Sequence, residues 1–156
     1  MNRKRRQPAG SVLGRSGACA LAVAGCCLLA AAGCGSDVPE MVPVSGRVTL
    51  DGGDWPKPGV VNFTPLAPAA GFPRKSASGH FDTDGYFTAT TGEYEGLIPG
   101  DYRISVTCWE RQPGDNDPGK SYTAEAYTSP FRSGLELKIE PDGAAVTWDQ
   151  DVPRAR

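Results

Sequence analysis

From residue 43 onward, apolar and polar side chains alternate with a period of two in several short runs, most cleanly between Tyr102 and Cys108. There Tyr102, Ile104, Val106 and Cys108 alternate with Arg103, Ser105 and Thr107, directly after a Pro99-Gly100 turn signal. A period of two puts one set of side chains inside and the other outside, so this stretch predicts an antiparallel, half-buried strand at the centre of the fold.

The same pattern predicts strands elsewhere. From Val44 to Leu50, Val44, Gly46, Val48 and Leu50 share the inner face, and Asp51-Gly52-Gly53-Asp54 ends the run with a turn. Val60 to Thr64 offers Val61 and Phe63 to the core, and Leu66 to Lys75, rich in Pro, Ala and Gly, reads as a loop. Ala77 to Asp82 and Tyr86 to Thr91 flank Thr83-Asp84-Gly85, a hairpin signal, with Phe87, Ala89 and Thr91 on one face of the second arm.

Glu110 to Ser133 is irregular and starts with turn formers from Pro113 to Gly119. A connection this long inside a compact domain implies function or disorder, and a short edge strand is expected near Tyr122 to Tyr127. Regular alternation returns with Leu135, Leu137 and Ile139. After Pro141-Asp142-Gly143, a final strand is expected with Ala144, Val146 and Trp148 inward. Some seven short strands separated by turns predict an all-β chain folded as a β-sandwich.

Composition agrees, since twenty Gly and fourteen Pro suit many turns and leave few windows for a helix. It also separates the first 33 of the 156 residues from the rest. Arg3-Lys4-Arg5-Arg6 is a positive n-region, and Gly17 to Ala32 is an apolar run short for a membrane span, ending in small residues before Cys34. The chain thus divides into a signal peptide (1–33), a tether (34–42), one domain (43–152) and a tail (153–156). Eleven basic and eighteen acidic residues follow residue 33, an acidic balance that argues against nucleic acid as partner.

Four of the five cysteines lie at or before Cys34, so the remaining part has Cys108 alone and no intrachain disulfide. Cys108 shares a face with Tyr102, Ile104 and Val106 and reads as a small buried hydrophobe rather than a nucleophile. His80 is the sole histidine and reads as an exposed turn residue, with no second histidine to complete a zinc site or a catalytic array.

Asp82 and Asp84 have the spacing of the first calcium ligands of a metal loop but lack a third acid and a distal glutamate. Asp115-Asn116-Asp117 has similar spacing, and in both places turn formers capping their own backbone account for the pattern. Trp55, Tyr94, Trp109, Tyr122, Tyr127 and Phe131 fall in or beside connections, where flat rings stack on sugars, anchor a partner or close the ends of a sandwich. Trp109, Tyr122, Tyr127 and Phe131 are the candidate contact residues, within a contact region from Glu110 to Phe131. No base, nucleophile and orienting group assemble from the sequence, which points away from an enzyme, and no cofactor is implied.

Two resemblances add to this reading. Gly33-Cys34 followed by Gly35-Ser36-Asp37 resembles a bacterial lipoprotein lipobox, although Ala31 stands where leucine is usual. The resemblance implies acylation of Cys34, export, and attachment to a membrane facing the periplasm or cell surface. Val23-Ala24-Gly25-Cys26 is the alternative box, with Cys26 acylated, at the cost of an apolar start after cleavage.

The order Val44-Ser45-Gly46-Arg47-Val48, Pro58-Gly59-Val60-Val61-Asn62-Phe63, Thr83-Asp84-Gly85-Tyr86-Phe87, Pro99-Gly100-Asp101-Tyr102 and Ser129-Pro130 resembles the carboxypeptidase regulatory-like domain. That family implies a seven-stranded Greek-key sandwich of transthyretin (prealbumin) type serving as a structural or interaction module. The expected function is therefore a lipid-anchored, non-catalytic envelope module that contacts an envelope protein. The alternative is a carbohydrate-binding module for wall polysaccharide.

Overall fold

In the computed structural model, which describes residues 39–156, Tyr102, Ile104 and Val106 are buried along the strand Gly100–Thr107, and Cys108 is buried directly after it. The stretch read from the sequence as a signal peptide and both candidate acylation sites, Cys34 and Cys26, lie outside the described residues. In chain order the strands are β1 (Val44–Leu50), β2 (Gly59–Pro68), β3 (Ala77–Phe81), β4 (Tyr86–Thr91), β5 (Tyr94–Glu95) and β6 (Gly100–Thr107). They continue with β7 (Trp109–Arg111), β8 (Lys120–Ser121), β9 (Leu135–Ile139), β10 (Val146–Thr147) and β11 (Gln150–Val152), and Glu125–Thr128 forms a single 3-10 turn.

The described chain is all-β. One curled mixed sheet runs β10-β1-β4-β3-β2-β6-β9, with β11 also beside β1 and β5 beside β4, while β7 and β8 form a second, two-stranded sheet. The main sheet is antiparallel from β1 to β9, and its inward side chains form one core. Phe63 sits at the middle of that core, with the rings of Phe87, Tyr102 and Trp148 each between 6.1 and 6.5 Å from its own. These are the offset and edge-on arrangements that aromatic quadrupoles favour.

Local chemistry explains the turns. Asp51 and Gly52 both have positive φ, and Leu50 and Gly53 exchange two backbone hydrogen bonds across them, so the turn predicted at Asp51 to Asp54 is a tight type I′ one. Gly85 closes the β3-β4 connection at φ 83°, where a Cβ would lie 2.0 Å from the Val48 carbonyl oxygen. Only glycine fits there.

The two chain ends of the domain meet in parallel. β10 and β11 both run alongside β1, and each partner pair, from Val44↔Val146 to Leu50↔Val152, keeps the same sequence offset. The ladder is broken only at Trp148 and Asp149. Trp148 N–H still donates to the Ser45 carbonyl (2.8 Å), and Asp149 Oδ1 accepts the Arg47 N–H (2.8 Å), a side chain standing in for a main-chain acceptor.

Four expectations are corrected. The stretch from Leu66 is not wholly loop, because β2 continues to Pro68 along β6. Pro65 and Pro68 are tolerated there since β3 stops pairing at Phe63 and leaves that side of β2 without a ladder. The final strand is not one run from Ala144 but two short ones, parallel to β1.

The edge strand expected over Tyr122 to Tyr127 is replaced by β8 and the 3-10 turn, since Ala124 and Ala155 N–H groups bond the Pro153 and Tyr122 carbonyls and draw the chain aside. Ser105, expected outside, is only 4% exposed. β9 pairs with β6 no further than Ile104, the 3-10 turn packs against β6, and Ser133 Oγ donates to the Ile104 carbonyl.

Candidate functional site

The irregular stretch after Glu110 builds one wall of a groove. β7 and β8 are joined by a turn in which Gly114 and Asp117 exchange backbone hydrogen bonds of 2.8 and 3.2 Å. Arg111 grips Asp117 through both carboxylate oxygens (2.6 and 3.0 Å), and Gly119 N–H donates to the same group at 2.9 Å. Hydrogen bonding from Arg111 and then Gly119 holds the Asp117 carboxyl below its usual range, so the acid pattern at Asp115 to Asp117 is spent on its own turn.

β8 is held to the core strand by Tyr122 N–H and Ser121 Oγ, both donating to the Cys108 carbonyl at 2.9 and 3.1 Å. The chain end forms the opposite wall, through an antiparallel bridge between Thr123 and Arg154. The groove encloses about 780 Å³. Trp109 and Tyr122 contribute half-buried rings, and Lys120, Arg132, Arg154 and Arg156 contribute positive charge against Glu110 and Glu125.

Two ion pairs tie the acids down, Lys120 to Glu110 at 2.7 Å and Arg132 to Glu125 at 3.0 Å. The Lys120 hydrogen bond holds the Glu110 carboxyl below its ordinary value. Thr123 also lines the groove. It is 1% exposed, and its Oγ1 has no hydrogen-bond partner.

Of the four candidate contact residues, the structure brings Trp109 and Tyr122 together in this groove. Tyr122 also packs against the core, as does Tyr127, which does not line the groove, and Phe131, 72% exposed, stands outside the groove with the Arg103 guanidinium 5.8 Å from its ring centre. Of the other aromatics, Tyr94 is exposed on β5, whereas Trp55 is a core residue, 3% exposed, with its indole N–H donating to the Val48 carbonyl (2.8 Å) and its ring 4.8 Å from Phe81. Arg154 and Arg156 were not legible as groove residues, since only the fold-back of the chain end brings them to β8, whereas Thr123 lies within the expected contact region.

The remaining candidates are dispersed. His80 is exposed in the middle of β3, opposite Val60 and Thr88, and not in a turn. Asp82 and Asp84 are exposed in the β3-β4 turn, where the Asp82 carbonyl accepts Gly85 N–H and the Asp84 carbonyl accepts Arg47 Nε–H. Among the described residues, no three His, Cys, Asp or Glu side chains are placed to hold one metal ion.

Cys108 is fully buried with its thiol toward the Lys57 carbonyl at 3.3 Å, and burial pushes its pKa up, so it stays a thiol at neutral pH. The groove thus combines the aromatic residues Trp109 and Tyr122, a basic rim and the buried Thr123 hydroxyl. No family model, curated protein or solved structure matches this chain.

Proposed function

We propose that this protein is a lipid-anchored, non-catalytic module of a bacterial cell envelope, held at the membrane through Cys34, with Cys26 as the alternative, and presenting the β7-β8 groove to an envelope partner. Its domain is read as a transthyretin-like Greek-key sandwich of the carboxypeptidase regulatory-like kind. Two features support that finer reading. The curled sheet joins its strands mostly in antiparallel pairs. Tyr102 Oη donates back to the Ile98 carbonyl at 2.7 Å, the tyrosine corner found in β-sandwich domains.

The observation that carries the interaction reading is the groove itself. It unites the irregular connection and the chain end, and it gathers four basic side chains and two rings in a chain whose part after residue 33 is acidic. Burial of the Cys108 thiol, with its pKa pushed up, favours binding over catalysis.

A wall polysaccharide as partner is the second reading. Trp109 and Tyr122 favour it, because half-buried rings in a polar groove suit stacking on sugars. In-cell cross-linking through positions 109, 120 and 154, with the captured material identified by mass spectrometry, tests both. One defined envelope protein supports the first reading, glycan alone supports the second, and empty capture rejects the groove as the contact surface. Intact mass of the native protein tests the anchor, and Met1 retained without lipid would reject it.

A further inference from the structure

Resting on the second reading above, a saccharide held in this groove, we propose that the ligand is acidic, with a carboxylate on Arg154 and Arg156 and a sugar ring against Trp109. Three observations converge on that chemistry. Charge comes first. Residues 39–156 carry eleven basic and seventeen acidic side chains, yet the groove has four basic and two acidic ones.

The two groove acids already have partners in Lys120 and Arg132. Arg154 reaches its partner Asp51 only at 3.7 Å, and Arg156 forms no ion pair among the described residues. A guanidinium fork matches a carboxylate through two parallel hydrogen bonds, and an exposed pair as long as Arg154–Asp51 contributes little that such a contact would have to replace.

The second observation is Thr123, a groove-lining residue whose buried Oγ1 lacks a hydrogen-bond partner. A buried hydroxyl left unpaired is costly, and a shift of the covering wall that let a ligand oxygen reach it would remove that cost. The third separates sugar from peptide. A peptide would add to a free strand edge, but the main chain at Tyr122 is already used on both sides, its N–H on the Cys108 carbonyl and its C=O by Ala155 N–H. At that position only side chains and ring faces remain to be recognised, which disfavours a peptide adding as a strand.

Titration calorimetry on the full-length chain in detergent, with oligogalacturonate, its methyl ester and oligoglutamate as probes, decides the matter. The expected result is binding of the acid form, at least tenfold tighter than of the ester or the glutamate chain, and weakening as salt rises. Arg154→Gln should lower that affinity about tenfold. Thr123→Val should lower it as well while leaving the thermal midpoint unchanged or raised, an outcome a merely structural Thr123 would not give. If Arg154→Gln fails to fold, Arg156→Gln carries the same test.

Equal binding of acid and ester, equal binding of oligoglutamate, or no heat with any probe each overturns the proposal. Cross-linking through the groove separates that failure from failure of the reading beneath it. Capture without acidic-saccharide binding sinks this proposal alone, and empty capture sinks both.

Discussion

Gly46 lies beneath the main chain of Trp148, so close that a Cβ on Gly46 would stand 1.9 Å from the Trp148 carbonyl oxygen. The contact is backbone against backbone, and neither side can swing away as a flexible side chain would. Gly46→Ala should therefore push the C-terminal strands off β1 and destabilise the domain by about 1–3 kcal/mol, the usual range for overpacking. Urea unfolding measures it. A change below about 0.5 kcal/mol would mean that the chain end does not lie where the structure has it.

Asp149 tests the same junction from its polar side. Removing its carboxylate in Asp149→Ala leaves the Arg47 N–H without its acceptor, for an expected loss of about 1 kcal/mol, while Asp149→Asn keeps an acceptor oxygen and should recover most of it. Amide hydrogen exchange at Arg47 is the local readout, with faster exchange in the alanine variant only.

Trp148 itself packs edge-on against Phe63 and Phe87, with ring centres 6.3 and 6.1 Å away. It is half-buried, so Trp148→Ala should cost about 2–3 kcal/mol, less than removal of a fully buried tryptophan. Thermal melts would show the loss, and near-ultraviolet circular dichroism would show the aromatic cluster rearranged.

Tyr102 gives the fold a dependence on alkaline pH. Burial raises its pKa from 10.0 to about 12. A tyrosine whose pKa is higher folded than unfolded stabilises the fold fully below pH 10, and that contribution fades as pH rises toward 12. The urea midpoint should fall across this window in the native protein. Tyr102→Phe should flatten that fall and cost about 1–3 kcal/mol at neutral pH, because the buried Ile98 carbonyl loses its donor.

Much of the fold was written locally. Period-two runs at Val44–Leu50, Tyr86–Thr91, Gly100–Thr107 and Leu135–Ile139 appear as strands with the anticipated faces inward, because burial of one face needs only the side chains of that run. The Asp-Gly pairs at 51–52 and 84–85 marked real turns for the same reason, since positive φ is a property of one or two residues. The buried Cys108 thiol also followed from its place in an alternating run.

What only the tertiary structure decided is which segments meet. The chain end could not be read as parallel to β1, since that pairing joins residues 102 positions apart and its partners carry no mark of each other. Ser105 was misplaced because neighbours distant in sequence bury it, against the local alternation around it. Half of the candidate site was visible as Trp109 and Tyr122 in an irregular connection. The other half, Arg154 and Arg156, acquired its meaning only when hydrogen bonds at Tyr122 and Ala124 drew the last residues alongside β8. Local sequence sets the face a residue presents, and long-range closure sets what that face meets.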